Sequence, residues 1–433
     1  MTSSKGSDDF IKSHGTQNIY VYGGVYIMQF LKMGAIKENK QPVSMECVLA
    51  CLYFLCLPFT VVTTPLGSLL KVITMPVTAA LLLRMLMGKS EISFNYVHFT
   101  YLLYLIYTVS LLFTYSESRA VTTTKDMLLG ALMFMLVSMR IYNAREQRLM
   151  ESAWLAVGII CIYACLSSKE VVSESISRVV IKIMGFEEDQ NQFCAYLIMP
   201  TLICVKRFLE KSRLMPFYII ILILSIYSIL KTGSRGGLLG ILLGIGMYAL
   251  IGIKSLKAKT ALVFSAVFIT FFVVTIVVPR LPENVASRYS VSAVEADGGS
   301  GRTDIWKFLI NYSCENPHRL IRGSGIFSTY SIMHKAGFQN GVAHNVFVQI
   351  LNDEGAIGLL LYIITIAACL IKNVKRQPMY ACAYIAMLGF ALSLTFYVFK
   401  PNLNIMMMCA MSFEGCLPED ELAAAVKGGT LNA

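Results

Sequence analysis

Charge is what this sequence has least of. Of its 433 residues 15% are Asp, Glu, Lys or Arg, against 56% hydrophobic, and the mean hydropathy is +0.63. Soluble domains carry about 25% charged residues, so the deficit excludes an ordinary water-soluble helical bundle. The first residues, Met1 to Lys12, contain no apolar run. No cleavable signal is therefore expected, and the first spanning helix would act as its own insertion signal. No Cys-x-x-C pair occurs among the 12 cysteines, most of which (Cys47, Cys51, Cys161, Cys165, Cys409) lie in apolar runs, with only Cys314 in a large polar stretch. That excludes a disulfide framework or a zinc ribbon and leaves small buried hydrophobes. No internal repeat or low-complexity tract is visible, whereas a two-half transporter would echo itself. The net charge of +11 does not indicate nucleic acid, because the basic residues are scattered through short loops rather than gathered in a stripe.

What is present is a series of apolar runs near the length a bilayer requires. Spans are expected at about 44–63, 65–87, 94–114, 126–142, 152–167, 192–205, 215–231, 236–253, 260–278, 345–371, 379–397 and 401–415. The expected fold is an all-α integral membrane protein of about twelve transmembrane helices, with a large extracytoplasmic loop between the ninth and tenth. Residues 1–43 form a cytoplasmic or interfacial N-terminal segment, 44–278 helices one to nine, 279–344 the large loop, 345–415 helices ten to twelve, and 416–433 a tail. The connections alternate in charge. Arg140/Arg145/Arg148, Lys206/Arg207/Lys211/Arg213, Lys254/Lys257/Lys259 and Lys372/Lys375/Arg376 make four basic loops, which the positive-inside rule places in the cytoplasm. An even number of helices then places both termini there too. The loops 115–125, 168–191, the turn 231–236 and the loop 279–344 would face out. Arg84, at the inner end of its span, is expected to snorkel.

Several outward residues could carry chemistry. Arg235 stands in the tight turn Thr232-Gly-Ser-Arg-Gly-Gly. A glycine-rich turn lets backbone N–H groups approach an anion, a helix starting there points its positive end outward, and the guanidinium adds five donors. A phosphate cradle results, with a snorkelling arginine as the plainer reading. Glu187-Glu188-Asp189-Gln190-Asn191-Gln192 precedes another span, where Asp189 or Asn191 could cap the helix or reach a sugar. The large loop holds Arg280, Arg288, Arg302, Arg319 and Arg322 with His318, His334 and His344. Most are expected to be solvated. His344 differs, because with Asn345 it stands where the chain returns to the membrane. An imidazole there, partly desolvated, suits proton transfer near neutral pH. No second ligand at helical spacing accompanies it, so no metal is implied. Several arginines, one histidine and few carboxylates suit a pyrophosphate leaving group stabilised by charge.

The order Asp189-Gln-Asn191, Ser234-Arg235-Gly236, Arg302…Trp306, Asn316-Pro317…Gly323-Ser-Gly325, His344-Asn345…Glu354-Gly355…Gly358-Leu-Leu resembles the O-antigen ligase/O-antigen polymerase superfamily over roughly residues 186–365. Gln190 stands where the family has Pro, and Gly237 extends the Ser-Arg-Gly turn. The resemblance implies a metal-independent glycosyltransferase without cofactor in the bacterial cytoplasmic (inner) membrane, with its site on the outer side. Its donor would be an oligosaccharide on undecaprenyl pyrophosphate, its partners a glycan acceptor, membrane lipids, a flippase and a chain-length regulator. The resemblance assigns Arg235 and Arg302 to the pyrophosphate, and Arg288 and Arg280 are further candidates to bind it. His344 would activate the acceptor hydroxyl, with Asp189, Asn191 and Asn345 in support. A polymerase of O-antigen, capsule or exopolysaccharide repeats is the first expectation, and a ligase onto lipid A core or protein the second. A transporter is disfavoured because charges are rare within the spans, and a scaffold leaves the outward arginines unexplained.

Overall fold

A computed structural model of the chain describes residues 42–88, 92–113, 118–168, 170–173, 176–253, 255–257, 259–260, 264, 271, 275–276, 278–280, 302–339, 341–392, 394 and 400–416. Most of the expected N-terminal segment, of the span 260–278 and of the tail lies outside them, as does Arg288. From Val43 onward the chain forms one compact unit. Its helices are α1 Met45–Leu55, α2 Leu69–Leu86, α3 Tyr96–Ser110, α4 Ser118–Ser138, α5 Ala144–Ser167, α6 Gln190–Tyr196, α7 Ile198–Leu209, α8 Met215–Lys231 and α9 Arg235–Gly252. They continue with α10 Arg302–Cys314, α11 Pro317–Arg322, α12 Ser328–Lys335, α13 Val346–Asn373, α14 Pro378–Ala391 and α15 Lys400–Ala410.

The apolar runs became helices, but several are shorter or broken. Five helical stretches are long and apolar enough to cross a membrane: Leu69–Leu86, Ala120–Ser138, Ala144–Ser167, Gln190–Leu209 and Val346–Asn373. Four shorter apolar helices accompany them, so twelve full-length spans are not reached among the described residues. The expected span 44–63 stops at Leu55, and a 3-10 turn, Leu57–Val61, carries Pro58. Proline cannot donate to the preceding turn and crowds its carbonyl. Pro200 acts in the same way on the expected helix 192–205, which divides into α6 and α7 at Leu197. The window in Gln190–Leu209 is 67% buried and that in Leu69–Leu86 only 28%. The first is therefore central, and the second shows apolar Leu83 and Leu86 to the surroundings.

Three expected loops are not simple loops. The stretch 115–125 is helical from Ser118, as the start of α4. Within 168–191 stand two antiparallel strand pairs, β4 Glu170–Ser173 with β5 Ile176–Val179 and β6 Ile181–Ile183 with β7 Phe186–Glu188. The second turns through Met184 and Gly185, both at positive φ, the two-residue form that matches strand twist. The loop 279–344 contains α10, α11 and α12. With the short pairs β1 Thr63–Thr64/β2 Gly67–Ser68 and β3 Ile141–Tyr142/β8 Ser412–Phe413, the fold is mostly helical rather than purely so.

Contacts sort the loops into two ends. At one, Gln147 Nε2 donates to Tyr380 Oη at 3.1 Å, Lys372 Nζ to the Ala410 carbonyl at 2.7 Å, and Asn95 Nδ2 to that same carbonyl at 2.9 Å. Three buried carboxylates stand there, and one of them, Glu146, accepts from Ser44 N at 2.8 Å and Asn143 N at 3.0 Å. Glu46 pairs with Arg84 and Arg140, each at 2.9 Å, and Glu151 with Lys206 at 2.7 Å and Arg207 at 2.6 Å. Arg84 thus holds an acid instead of snorkelling. Three of the four basic loops meet here. At the other end of the same helices, Lys231 Nζ donates to the carbonyls of Cys165 (3.0 Å) and Ser168 (3.2 Å), closing α5, and α13 begins at Asn345.

Candidate active site

The Ser234–Arg235 turn is built on the start of α6. Asp189 caps that helix, its Oδ1 accepting from the N–H groups of Asn191 and Gln192, both at 2.9 Å. This satisfies donors that a helix start leaves free. Asn191 does more, since its Oδ1 accepts from Ser234 Oγ at 2.7 Å. Ser234 in turn caps α9, accepting from Gly237 N at 3.0 Å. A Cβ at Gly237 would lie 2.8 Å from Cys194 Sγ, so the extra glycine of the turn permits α9 to seat on α6. Arg235, half-buried, is the first residue of α9, where the free N–H groups and the helix dipole favour an anion.

Glu188 directly precedes the Asp189 cap of α6, and the sequence gives it no role of its own. It is 5% exposed. Its Oε1 accepts from Asp189 N at 3.1 Å, and its Oε2 has no hydrogen-bond partner among the described residues. Burial pushes its carboxyl up to about 7, against the lowering by the Asp189 N–H.

A second cluster surrounds His344. Trp306 Nε1, on α10, donates to the Ala343 carbonyl at 2.8 Å. Ala343 N donates to Gln349 Oε1 at 2.9 Å. Asn345 caps α13, accepting from Phe347 N at 3.0 Å and Val348 N at 3.2 Å. Between these fixed points His344, half-buried, takes a φ of 51°, a conformation uncommon outside glycine. Arg302 starts α10 four residues before Trp306, so it stands on the same helix face one turn nearer the start.

The remaining motif residues make a joint. α13 is broken at Gly355, whose φ and ψ are 71° and −172°. The Gly323-Ser-Gly325 turn docks into the break, with Ser324 N donating to the Asn352 carbonyl and Gly325 N to that of Asp353, both at 2.9 Å. A Cβ on Gly323 would lie 2.3 Å from the Asp353 carbonyl oxygen, and one on Gly355 2.4 Å from Gly323 N. Only two glycines permit this approach of backbone to backbone. The acids of the break accept from neutral groups. Asp353 Oδ1 accepts from Thr329 N (2.7 Å) and Oγ1 (2.6 Å) and its Oδ2 from Gln349 Nε2 (2.8 Å). Glu354 accepts from Tyr104 Oη (3.1 Å) and Thr108 Oγ1 (3.0 Å). Asn316-Pro317 is the cap and first residue of α11, a pairing favoured because proline has no N–H to leave unsatisfied.

Other loop cations make local contacts. Arg280 is exposed and donates to the Ile276 carbonyl at 2.6 Å. Arg319 stacks 4.1 Å over Tyr312. His318 and His334 are exposed. Among the described residues no group of three or more His, Cys, Asp or Glu could hold a metal ion. Sequence reasoning missed Gln349 and Thr329, neither of which carries a charge to draw notice. Trp306 was quoted as part of a motif, but its indole N–H had no assigned partner.

No curated protein matches the chain. Residues 220–363, about a third of the chain, match the family model described as O-antigen ligase. That segment contains Arg235, Arg302 and His344 but not Asp189 or Asn191, and through it the resemblance to the O-antigen ligase/polymerase superfamily read from the sequence is borne out.

Proposed function

We propose that the protein is a metal-independent membrane glycosyltransferase that polymerises oligosaccharide repeats carried on undecaprenyl pyrophosphate. The observation that carries this reading is the presence, at one end of the helices, of a helix-start arginine in a braced turn and a histidine held in a strained conformation beside the Arg302 helix. In the reaction the acceptor hydroxyl oxygen bonds to the anomeric carbon of the donor sugar. The bond from that carbon to the pyrophosphate oxygen breaks, and its electron pair leaves with the lipid pyrophosphate. His344 takes the hydroxyl proton. Arg235 and Arg302 hold the growing negative charge, with Arg288 and Arg280 as outer contributors. Preorganised charge aimed at a leaving group is typically the largest single catalytic contribution.

This end faces the outer side of the bacterial inner membrane in our reading, supported by the gathering of three basic loops at the other. A flippase would then deliver the donor, and a chain-length regulator would set the length of the product, a capsule, exopolysaccharide or O-antigen. A ligase moving a finished glycan to lipid A core or protein is the second reading, favoured by the description of the matched family. Glycan banding separates them, using cells that lack the protein and receive the wild type, Arg235→Ala or His344→Ala. For a polymerase the null cells keep a single repeat on the final acceptor, and only the wild type restores a ladder. Long glycan accumulating on the carrier identifies a ligase. A normal ladder in the null cells rejects both and returns a transporter to consideration.

A further inference from the structure

His344 is held from both sides by side chains rather than by regular backbone bonding. Before it, both backbone groups of buried Ala343 are taken, the carbonyl by Trp306 Nε1 at 2.8 Å and the N–H by Gln349 Oε1 at 2.9 Å. After it, Asn345 fixes the first turn of α13. Gln349 does not hang freely. Its Nε2 donates to Asp353 Oδ2 at 2.8 Å, and the other oxygen of Asp353 accepts from Thr329 at the start of α12. Gln349 and Asp353 are 4% and 0% exposed, so water competes little for these bonds. A non-glycine residue at φ 51° persists only where its surroundings over-determine it, and such residues gather at functional sites. A helix start needs a cap, which Asn345 supplies. It does not need a buried carboxamide and an indole on the backbone of the residue two places before the cap.

We propose that Gln349 and Trp306 are positioning residues that fix both backbone groups of Ala343, the residue before His344, so that the imidazole faces the acceptor hydroxyl. This rests on the reading of His344 as the proton acceptor. Asp353 and Thr329 orient the Gln349 carboxamide, and α10, which supplies Trp306, also supplies Arg302. One clamp therefore registers the proton acceptor against an arginine of the donor site.

The test measures turnover by the full-length protein in bilayers, supplied with lipid-linked glycan extracted from cells that lack it. Gln349→Met keeps the side-chain length and removes both bonds, and Trp306→Phe removes the N–H while keeping a ring. Misplacing a reacting group by about 1 Å costs about 100-fold, so Gln349→Met is expected to lower kcat by about 10- to 100-fold. Trp306→Phe should lower it less. In both, the KM for the donor should stay within about twofold, because the pyrophosphate contacts are untouched. Wild-type kcat in both variants overturns the proposal. So does a donor KM that rises as far as kcat falls, which is the mark of a generally loosened structure. If Gln349→Met does not fold, Trp306→Phe decides alone. His344→Ala with wild-type turnover is a separate outcome: it removes the reading on which the clamp rests, whatever the two clamp variants do.

Discussion

The two ends of the helices differ in how their buried carboxylates are satisfied. At the basic-loop end, Glu46 and Glu151 each hold two cations, while Glu146 accepts from Ser44 N and Asn143 N, and the basic loops are partly knitted into the fold. At the site end, Asp353 and Glu354 accept from hydroxyl, amide and carboxamide groups, and Glu188 from a single backbone N–H. The difference teaches that an arginine in a loop is not one kind of evidence. Arg140 and Arg207 are structural as well as topological. Arg235 sits instead on a helix start braced through Ser234 and Asn191, an arrangement that favours an anion.

The largest expected effect tests that contrast directly. Arg235→Ala and His344→Ala should each lower glycan transfer by at least about 100-fold while leaving protein levels unchanged. Glu151→Ala, at the other end, should do the reverse. It leaves Lys206 and Arg207 without their buried partner, at a cost of about 3–5 kcal/mol. The thermal midpoint should fall, while turnover per folded molecule holds. A stable Glu151→Ala protein with no transfer activity would break the comparison.

Glu188 sharpens it. Its carboxyl is raised from the ordinary 4.5 to about 7 by burial. Between those values the folded chain keeps a proton that the unfolded chain releases. The contribution is thus complete below pH 4.5, is lost as pH rises through about 7, and is level above that. At most it is on the order of 3 kcal/mol. Melting curves across pH 4–8 should show this decline in the wild type and a flatter profile in Glu188→Gln. Equal slopes in the two would assign the decline elsewhere.

The smallest effect separates contact from conformation at the joint. Gly323→Ala drives a Cβ against the Asp353 carbonyl at φ 80° and should cost about 1–3 kcal/mol, read as faster proteolysis within 302–339. Gly337→Ala has a similar φ of 86° but nothing within 4 Å, so it should cost less. Equal cleavage rates would mean that backbone conformation alone, not the docking of turn into break, accounts for the loss.

Much of the helical content was legible because an apolar run reports itself residue by residue. The breaks at Pro58 and Pro200 were legible in principle, since proline acts on its own helix. The hairpin through Met184-Gly185 was not, because methionine rarely signals a positive φ. The break at Gly355 was hidden because glycine is ordinary in membrane helices. In the site, Arg235, Arg302 and His344 stood out by charge and order. Asp189 stood out as a possible cap and is one, whereas the capping role of Asn345 came only from the structure.

The sequence by itself determined that this is a largely helical membrane protein, and its ordered Arg, Gly and His motifs pointed to the O-antigen ligase/polymerase superfamily. Hydropathy and motif order are local properties, and packing does not alter them. Only the tertiary structure decided that Asn191 meets Ser234, that Trp306 and Gln349 enclose Ala343, and that Gly323 docks in the break at Gly355. It also decided which acids hold cations. Side-chain contacts join segments up to 250 residues apart at the site and 315 at the other end. They depend on which helix faces meet when apolar surface is buried, and no local run of residues records that.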